Sequence, residues 1–99
     1  MRYDFDWDAA KNKQNYRKHK VNFRQAATVF SDPYQLSIYD EDHSQQEDRW
    51  ITIGMDYAGV LRVVVHTFET LNDSLCQVRI VSARKANSEE VQQYYQRRQ

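Results

Sequence analysis

Residues Asp6–Phe30 read DWDAAKNKQNYRKHKVNFRQAATVF, with two helix signals in succession. Asp8 stands as an N-cap for a helix over Ala9–His19, and Asp6 also lies near its positive end. That helix is polar on most sides. Ala9, Ala10 and Tyr16 are its expected packing contacts, and Arg17, Lys18, His19 and Lys20 complement the negative end of its dipole. Asn22 then caps a second helix. Phe23, Ala26, Ala27 and Phe30 fall at i, i+3, i+4 and i+7, which makes one apolar stripe. Asp32-Pro33 ends it.

Beyond Pro33 the pattern changes to strands. Leu36–Tyr39 reads as a strand and Asp40–Asp48 (DEDHSQQED) as a polar loop. Arg49–Met55 puts Arg49, Ile51, Ile53 and Met55 on one face. Leu61–Phe68 puts Leu61, Val63, Val65 and Thr67 on one face and Arg62, Val64, His66 and Phe68 on the other. Leu75–Arg84 puts Cys76, Val78, Ile80 and Ser82 on one face and Gln77, Arg79, Val81 and Ala83 on the other. Asp56–Gly59 and Leu71–Ser74 are short enough for antiparallel hairpins. Arg2–Phe5 alternates weakly, as a short edge strand would. Ser88 reads as the cap of a last helix, with Glu89 and Glu90 in its first turn, Arg97 and Arg98 in its last, and Val91, Tyr94 and Tyr95 as its packing stripe. The expected fold class is α+β: two N-terminal helices, an antiparallel β-sheet of about four strands and a C-terminal helix, in a single domain over residues 1–99.

Only two Gly and one Pro among 99 residues exclude a low-complexity chain. One cysteine, Cys76, excludes an internal disulfide and a zinc cluster of thiolates, and its strand context reads as a buried thiol. No apolar run approaches the ~20 residues of a membrane helix. No signal peptide is visible, so the expectation is a soluble cytoplasmic protein without a membrane partner. The three His are scattered, and Asp40, Asp42, His43 and Glu47 lack the spacing of a calcium loop, so no metal is expected. Without a Gly-rich phosphate loop or a nucleophile elbow, no cofactor is expected either. The net charge of zero conceals an asymmetry. Residues 1–24 hold seven Lys/Arg against three Asp, residues 25–48 hold six Asp/Glu and no Lys or Arg, and residues 49–85 hold five Lys/Arg against three acids. A nucleic-acid site suits the first region and a basic partner the second.

Taken in order, these segments resemble the BrnT family (DUF497) of type II toxin–antitoxin toxins, ribonucleases with a RelE-like fold. The resemblance is carried by Phe5, Trp7, Asp8, Lys11, Asn15, Lys18, His19, Val21 and Phe23, then by Gln25, Ala26, Val29, Phe30, Asp32 and Pro33. It continues through Arg49, Trp50, Ile53 and Gly54, then Leu61, Val63, Val64 and Thr67, and closes on Arg79–Arg84 with Ala86. Two positions depart from the family pattern. Lys20 stands where Gly usually follows Lys-His, so the helix end lacks the easy left-handed residue. Phe68-Glu69-Thr70 stands where a basic residue often follows the central strand's Thr.

The resemblance implies a metal-independent endoribonuclease that inhibits translation and growth and is neutralised by a cognate DNA-binding antitoxin (BrnA-like), with operator DNA contacted only through that antitoxin. Cleavage by 2′-OH attack needs a base, cations for the charge growing on phosphorus, and an acid for the 5′-oxygen. Arg79 is the first candidate for phosphate, because an unpaired charge amid apolar strand residues must meet an acid, a solvent-filled groove or RNA. Arg49 and Arg84 follow. By strict alternation Arg84 faces away from Arg79, so both can serve one site only if a bulge or the strand end re-aims one of them. His19, in its basic cluster, is either the base or a solvated, helix-capping histidine. His66 shares a face with Arg62 and is either a catalytic partner or a packing residue. Lys18, Arg62 and Tyr94 are candidates for substrate contact, Tyr94 and Tyr95 by stacking on bases or, alternatively, packing on the sheet. The alternative reading is a catalytically degenerate RelE-like module that only engages a protein or nucleic acid.

Overall fold

The computed structural model describes residues 2–98, and in it the strand-forming runs assemble into one six-stranded sheet. The strands are β1 (Arg2–Asp6), β2 (Leu36–Tyr39), β3 (Arg49–Met55), β4 (Leu61–Thr67), β5 (Glu69–Asn72) and β6 (Leu75–Lys85). Their order is β1-β6-β4-β3-β2, with β5 pairing β6 beyond the end of β4. β1 runs parallel to β6, and the other pairings are antiparallel. The sheet is therefore mixed and larger than the four antiparallel strands expected. β1 is the short edge strand expected at Arg2–Phe5, one residue longer, but its parallel partner far along the chain leaves no local trace, and β5 is too short to show a period.

The helices are α1 (Ala9–His19), α2 (Phe23–Ala27) and α3 (Ser88–Arg98). Asp8 caps α1 by accepting from the Ala10 and Lys11 amides at 2.8 and 3.3 Å. Asn22 caps α2 by accepting from the Gln25 amide at 2.8 Å. α2 holds only five residues and then tightens into a 3-10 turn over Thr28–Ser31. That turn lies against β3 at Gly54, where a Cβ would stand 3.0 Å from the Val29 Cβ and 3.1 Å from its carbonyl oxygen. The cap of α3 is Asn87 rather than Ser88. Its Oδ1 accepts from the Glu90 amide at 2.9 Å, and Glu90 Oε1 accepts from the Asn87 amide at 2.8 Å. This reciprocal box satisfies two amides, which a serine inside the first turn would not.

Apolar side chains cover both faces of the sheet. On one face Val21, Phe23, Ala26, Val29 and Phe30 pack on Val64, Val78, Ile80 and Ala83. On the other, Tyr94 of α3 packs with Ile53, Leu61 and Val63. Burying a side chain such as Phe23 contributes roughly 1.5–3 kcal/mol. The expected stripe holds at Phe23, Ala26 and Phe30, with Ala27 only partly buried and Val29 fully buried beside them. The expected faces of β6 hold only as far as Ile80. Val65 pairs Ser82 while His66 pairs Ile80, so Val81 is an extra residue. This bulge shifts the phase by one, which buries Ala83 and turns Ser82 to the other face.

Candidate active site

The bulge brings arginines together that simple alternation separates. Val78 and Ile80 belong to the first core face, so Arg79 points from the other. Past the bulge, Arg84 pairs Val63, which packs with Tyr94 on that same other face. Arg49 pairs Thr67 in the register that also joins Ile53 to Val63, which puts it there too. The sheet thus presents Arg49, Arg79 and Arg84 on one side, the side α3 packs on.

α1 reaches β6 through a polar anchor. Beyond Arg79, β6 has no β1 residue beside it, so its edge is open. Asn15 closes this edge. Its Oδ1 accepts from the Ala83 amide at 3.0 Å, while its Nδ2 donates to the Ala83 carbonyl at 2.8 Å and the Val21 carbonyl at 2.9 Å. This docking leaves a cleft of about 280 Å³ between helix and strand, lined by Lys11, Gln14, Lys18, His19, Val81 and Ser82 among others. His19 is half-buried in it and Lys18 is exposed. Arg79 lies two residues before Val81, ~7 Å along the strand. Its side chain is exposed, and among the described residues it holds no ion pair. Asp6, its register partner on β1, faces the same way without bonding to it. The Arg79 amide donates to Thr67 Oγ1 at 3.3 Å where β4 gives way to β5. Cations and one imidazole thus surround an open groove suited to a phosphodiester.

The other candidates stand differently. Arg84 is committed to Glu90 by two hydrogen bonds of 2.8 Å, which raise its pKa and hold the Glu90 carboxyl below its usual range. It ties β6 to α3 instead of facing the groove. Arg49 lies beside the 43–47 loop, its Nε buried without a hydrogen bond and 3.6 Å from Glu47 Oε1. His66 is on the opposite face, only 2% exposed, with Nε2 2.6 Å from Thr52 Oγ1 and Nδ1 2.9 Å from the Thr67 carbonyl. Burial lowers its pKa. Of its two readings, packing fits. Arg62 shares that face as expected, but its Nε donates to the buried Asp56 at 2.9 Å, which removes it from any substrate surface. Tyr94 is 1% exposed and its hydroxyl donates to Asp32 at 2.6 Å, so its ring offers no stacking surface. Tyr95 remains exposed.

Lys11, Gln14 and Ser82 are not among the site candidates drawn from the sequence, although Lys11 and Ser82 lie in the segments that carry the family resemblance. The signal for two of them was present: Lys11, Gln14, Asn15 and Lys18 fall at i, i+3, i+4 and i+7, a polar stripe with helical spacing. Ser82 required knowledge of the bulge. Among the described residues no group of three metal-ligating side chains gathers, and no helix is long and apolar enough to cross a membrane.

No curated protein matches the chain. Among solved structures, the crystal structure of the Brucella abortus ribonuclease toxin, BrnT, is similar, with a TM-score of 0.57 at 18% identity over 89% of this chain and 100% of that one. At this identity the likeness concerns the fold. The family model for the ribonuclease toxin, BrnT, of type II toxin–antitoxin systems matches residues 7–90, from the turn before α1 to the Glu90 that caps α3. With the match running through every strand from β2 to β6, the chain belongs to the BrnT family of type II toxin–antitoxin ribonuclease toxins.

Proposed function

We propose that this chain is a RelE-like endoribonuclease toxin that cleaves RNA without a metal and is held in check by a small DNA-binding antitoxin of the BrnA kind. Family membership supports the class of activity. The observation that carries the chemistry is the Arg79 guanidinium, exposed and without an ion pair among the described residues, beside a cleft lined by Lys11, Lys18 and His19. Arg79 binds the scissile phosphate with its planar fork and offsets the charge that grows there. His19 takes the proton from the ribose 2′-OH as the 2′-oxygen bonds to phosphorus and the bond to the 5′-oxygen breaks. The Lys11 and Lys18 ammonium groups neutralise the neighbouring phosphate oxygens, and one of them protonates the leaving 5′-oxygen. Arg49, at the far end of the same sheet face, extends the cationic track. Operator DNA is contacted through the antitoxin.

The test is cleavage of a mixed-sequence RNA in EDTA by the purified chain, beside Arg79→Ala. Expected are 2′,3′-cyclic or 3′-phosphate ends, with the rate in the variant down by about 10²–10³ and its melting temperature unchanged. A folded wild-type chain that leaves RNA intact rejects the reading in favour of a binding-only module, in line with Phe68-Glu69-Thr70 lacking a cation.

A further inference from the structure

The sheet face opposite the arginines carries a second cavity of about 250 Å³, lined by the rings of Tyr3, Phe30, Trp50 and Phe68 and by Gln35, Ser37 and His66. It is smaller than the ~300–1,000 Å³ typical of small-molecule sites and has the size of a pocket for one bulky side chain. Its polar lining is saturated. The Thr67 carbonyl takes the proton on His66 Nδ1, so Nε2 accepts from Thr52 Oγ1 at 2.6 Å, and Thr52 accepts from Ser37 at 2.7 Å. Gln35 Nε2 is committed as well, to the Phe30 and Asp32 carbonyls at 2.9 and 3.2 Å, so an apolar occupant need break none of these hydrogen bonds.

The rim is acidic. The Tyr39 ring lies 5.3 Å from Trp50, and its hydroxyl donates to Asp48 at 2.9 Å, which ties the Asp40–Asp48 loop to the pocket wall. Asp40 is paired with His43 and Glu47 with Arg49. Glu41, Asp42 and Asp48 hold no ion pair among the described residues. From this charge pattern we infer that the pocket and its rim dock a basic protein segment: one apolar side chain enters between Trp50 and Phe68, and flanking Lys or Arg side chains meet Glu41, Asp42 and Asp48. RNA is disfavoured because unpaired carboxylates repel phosphate. The inference stands whether or not the chain cleaves RNA, and it leaves the cationic groove on the other face open.

The indole N–H signals of Trp50 and Trp7 make an NMR test. Trp7 packs on Phe23 outside the pocket and serves as an internal reference. The probe is a short Lys/Arg-rich peptide with one central Phe. Expected is a saturable shift of Trp50 but not Trp7, weakened about tenfold when the peptide's Phe becomes Ala and again in Glu41→Lys/Asp42→Lys, whose exposed positions keep the fold. No shift, an equal shift with a Glu-rich peptide, or a shift of Trp50 by oligouridylate overturns it. Cleavage activity is read separately and does not bear on the outcome.

Discussion

Two residues show how this chain builds a helix end and a helix dock without the usual apolar means. Lys20 ends α1 in the left-handed region at φ 59°, ψ 27°, with its amide donating to the Tyr16 carbonyl at 2.9 Å. A side chain there costs roughly 1–2 kcal/mol relative to glycine, partly offset by the freedom glycine adds to the unfolded chain. Lys20→Gly is therefore expected to stabilise the protein by about 0.5–1 kcal/mol in urea denaturation, and an unchanged or lower midpoint shows the strain to be relieved by other contacts. Asn15 is the counterpart. α1 has few apolar contacts, so its position rests on this buried carboxamide and on Asn12, whose Oδ1 accepts from the Phe23 amide at 2.8 Å. Asn15→Ala leaves the Ala83 amide and two carbonyls unpaired at a site 7% exposed. The expected loss is about 2–4 kcal/mol, with cleavage falling further than stability alone explains, because the groove wall moves. Truncation that leaves both unchanged shows water replacing the carboxamide. The departure at Lys20 was visible in the sequence, and so was Asn15 in the polar stripe. What Asn15 bonds was not, because its partner lies at Ala83, far along the chain.

At the scale of elements, the sheet is shaped by two features, one of them written in the sequence. Gly54 is legible as a glycine within a strand pattern, a sign of close backbone approach. It admits the Thr28–Ser31 turn against β3. Gly54→Ala is expected to cost about 1–3 kcal/mol in the same denaturation experiment, since the facing atoms include the Val29 carbonyl. A cost under about 0.5 kcal/mol indicates that the turn shifts freely. The bulge at Val81 is the second feature, and alternation gave no sign of it. RIVSAR reads equally well as an unbroken strand, yet the buried Ala83 and the register of β4 require the extra residue. Without it Arg79 and Arg84 would oppose each other across the sheet. With it they share a face, although Arg84 turns to Glu90. The same limit explains α3. Asn87 and Ser88 are both good caps on propensity, and only the Glu90 carboxylate three residues after Asn87 distinguishes them. The α2 stripe and the caps of α1 and α2 followed from local pattern, whereas Ala9, Ala10 and Tyr16, the expected packing contacts of α1, are exposed, and so is Tyr95 of the α3 stripe; pairing and phase depend on partners distant in the chain.

The whole molecule divides its charge between two surfaces and keeps its titrating groups where acid undoes them. His66 sits between Phe30, whose ring centroid is 4.9 Å away edge-on, and the Thr52 hydroxyl, and burial lowers its pKa below the ordinary 6.5 against the weaker opposing pull of the Thr67 carbonyl. Its unfolded form takes up a proton first. Stability from this group is therefore full above pH 6.5 and is lost as pH falls through 6.5 toward the folded value. Burial would raise the Asp56 carboxyl, but hydrogen bonds from Arg62, Val60, Gln25 and Ala58 outweigh it and hold it below 3.8. Hydrogen bonding to Arg84 holds the Glu90 carboxyl below 4.5. Their contributions are present above those ordinary values and are lost at lower pH, as each carboxyl protonates. The signs agree, so the urea midpoint is expected to be level above about pH 7, to decline gently from 6.5 to 5, and to fall steeply below about 4.5. His66→Gln, which keeps a donor and an acceptor at the site, is expected to abolish the gentle decline and leave the steep one. If the variant retains the slope between pH 6.5 and 5, that slope belongs to another group and His66 is not the molecule's first acid-sensitive point.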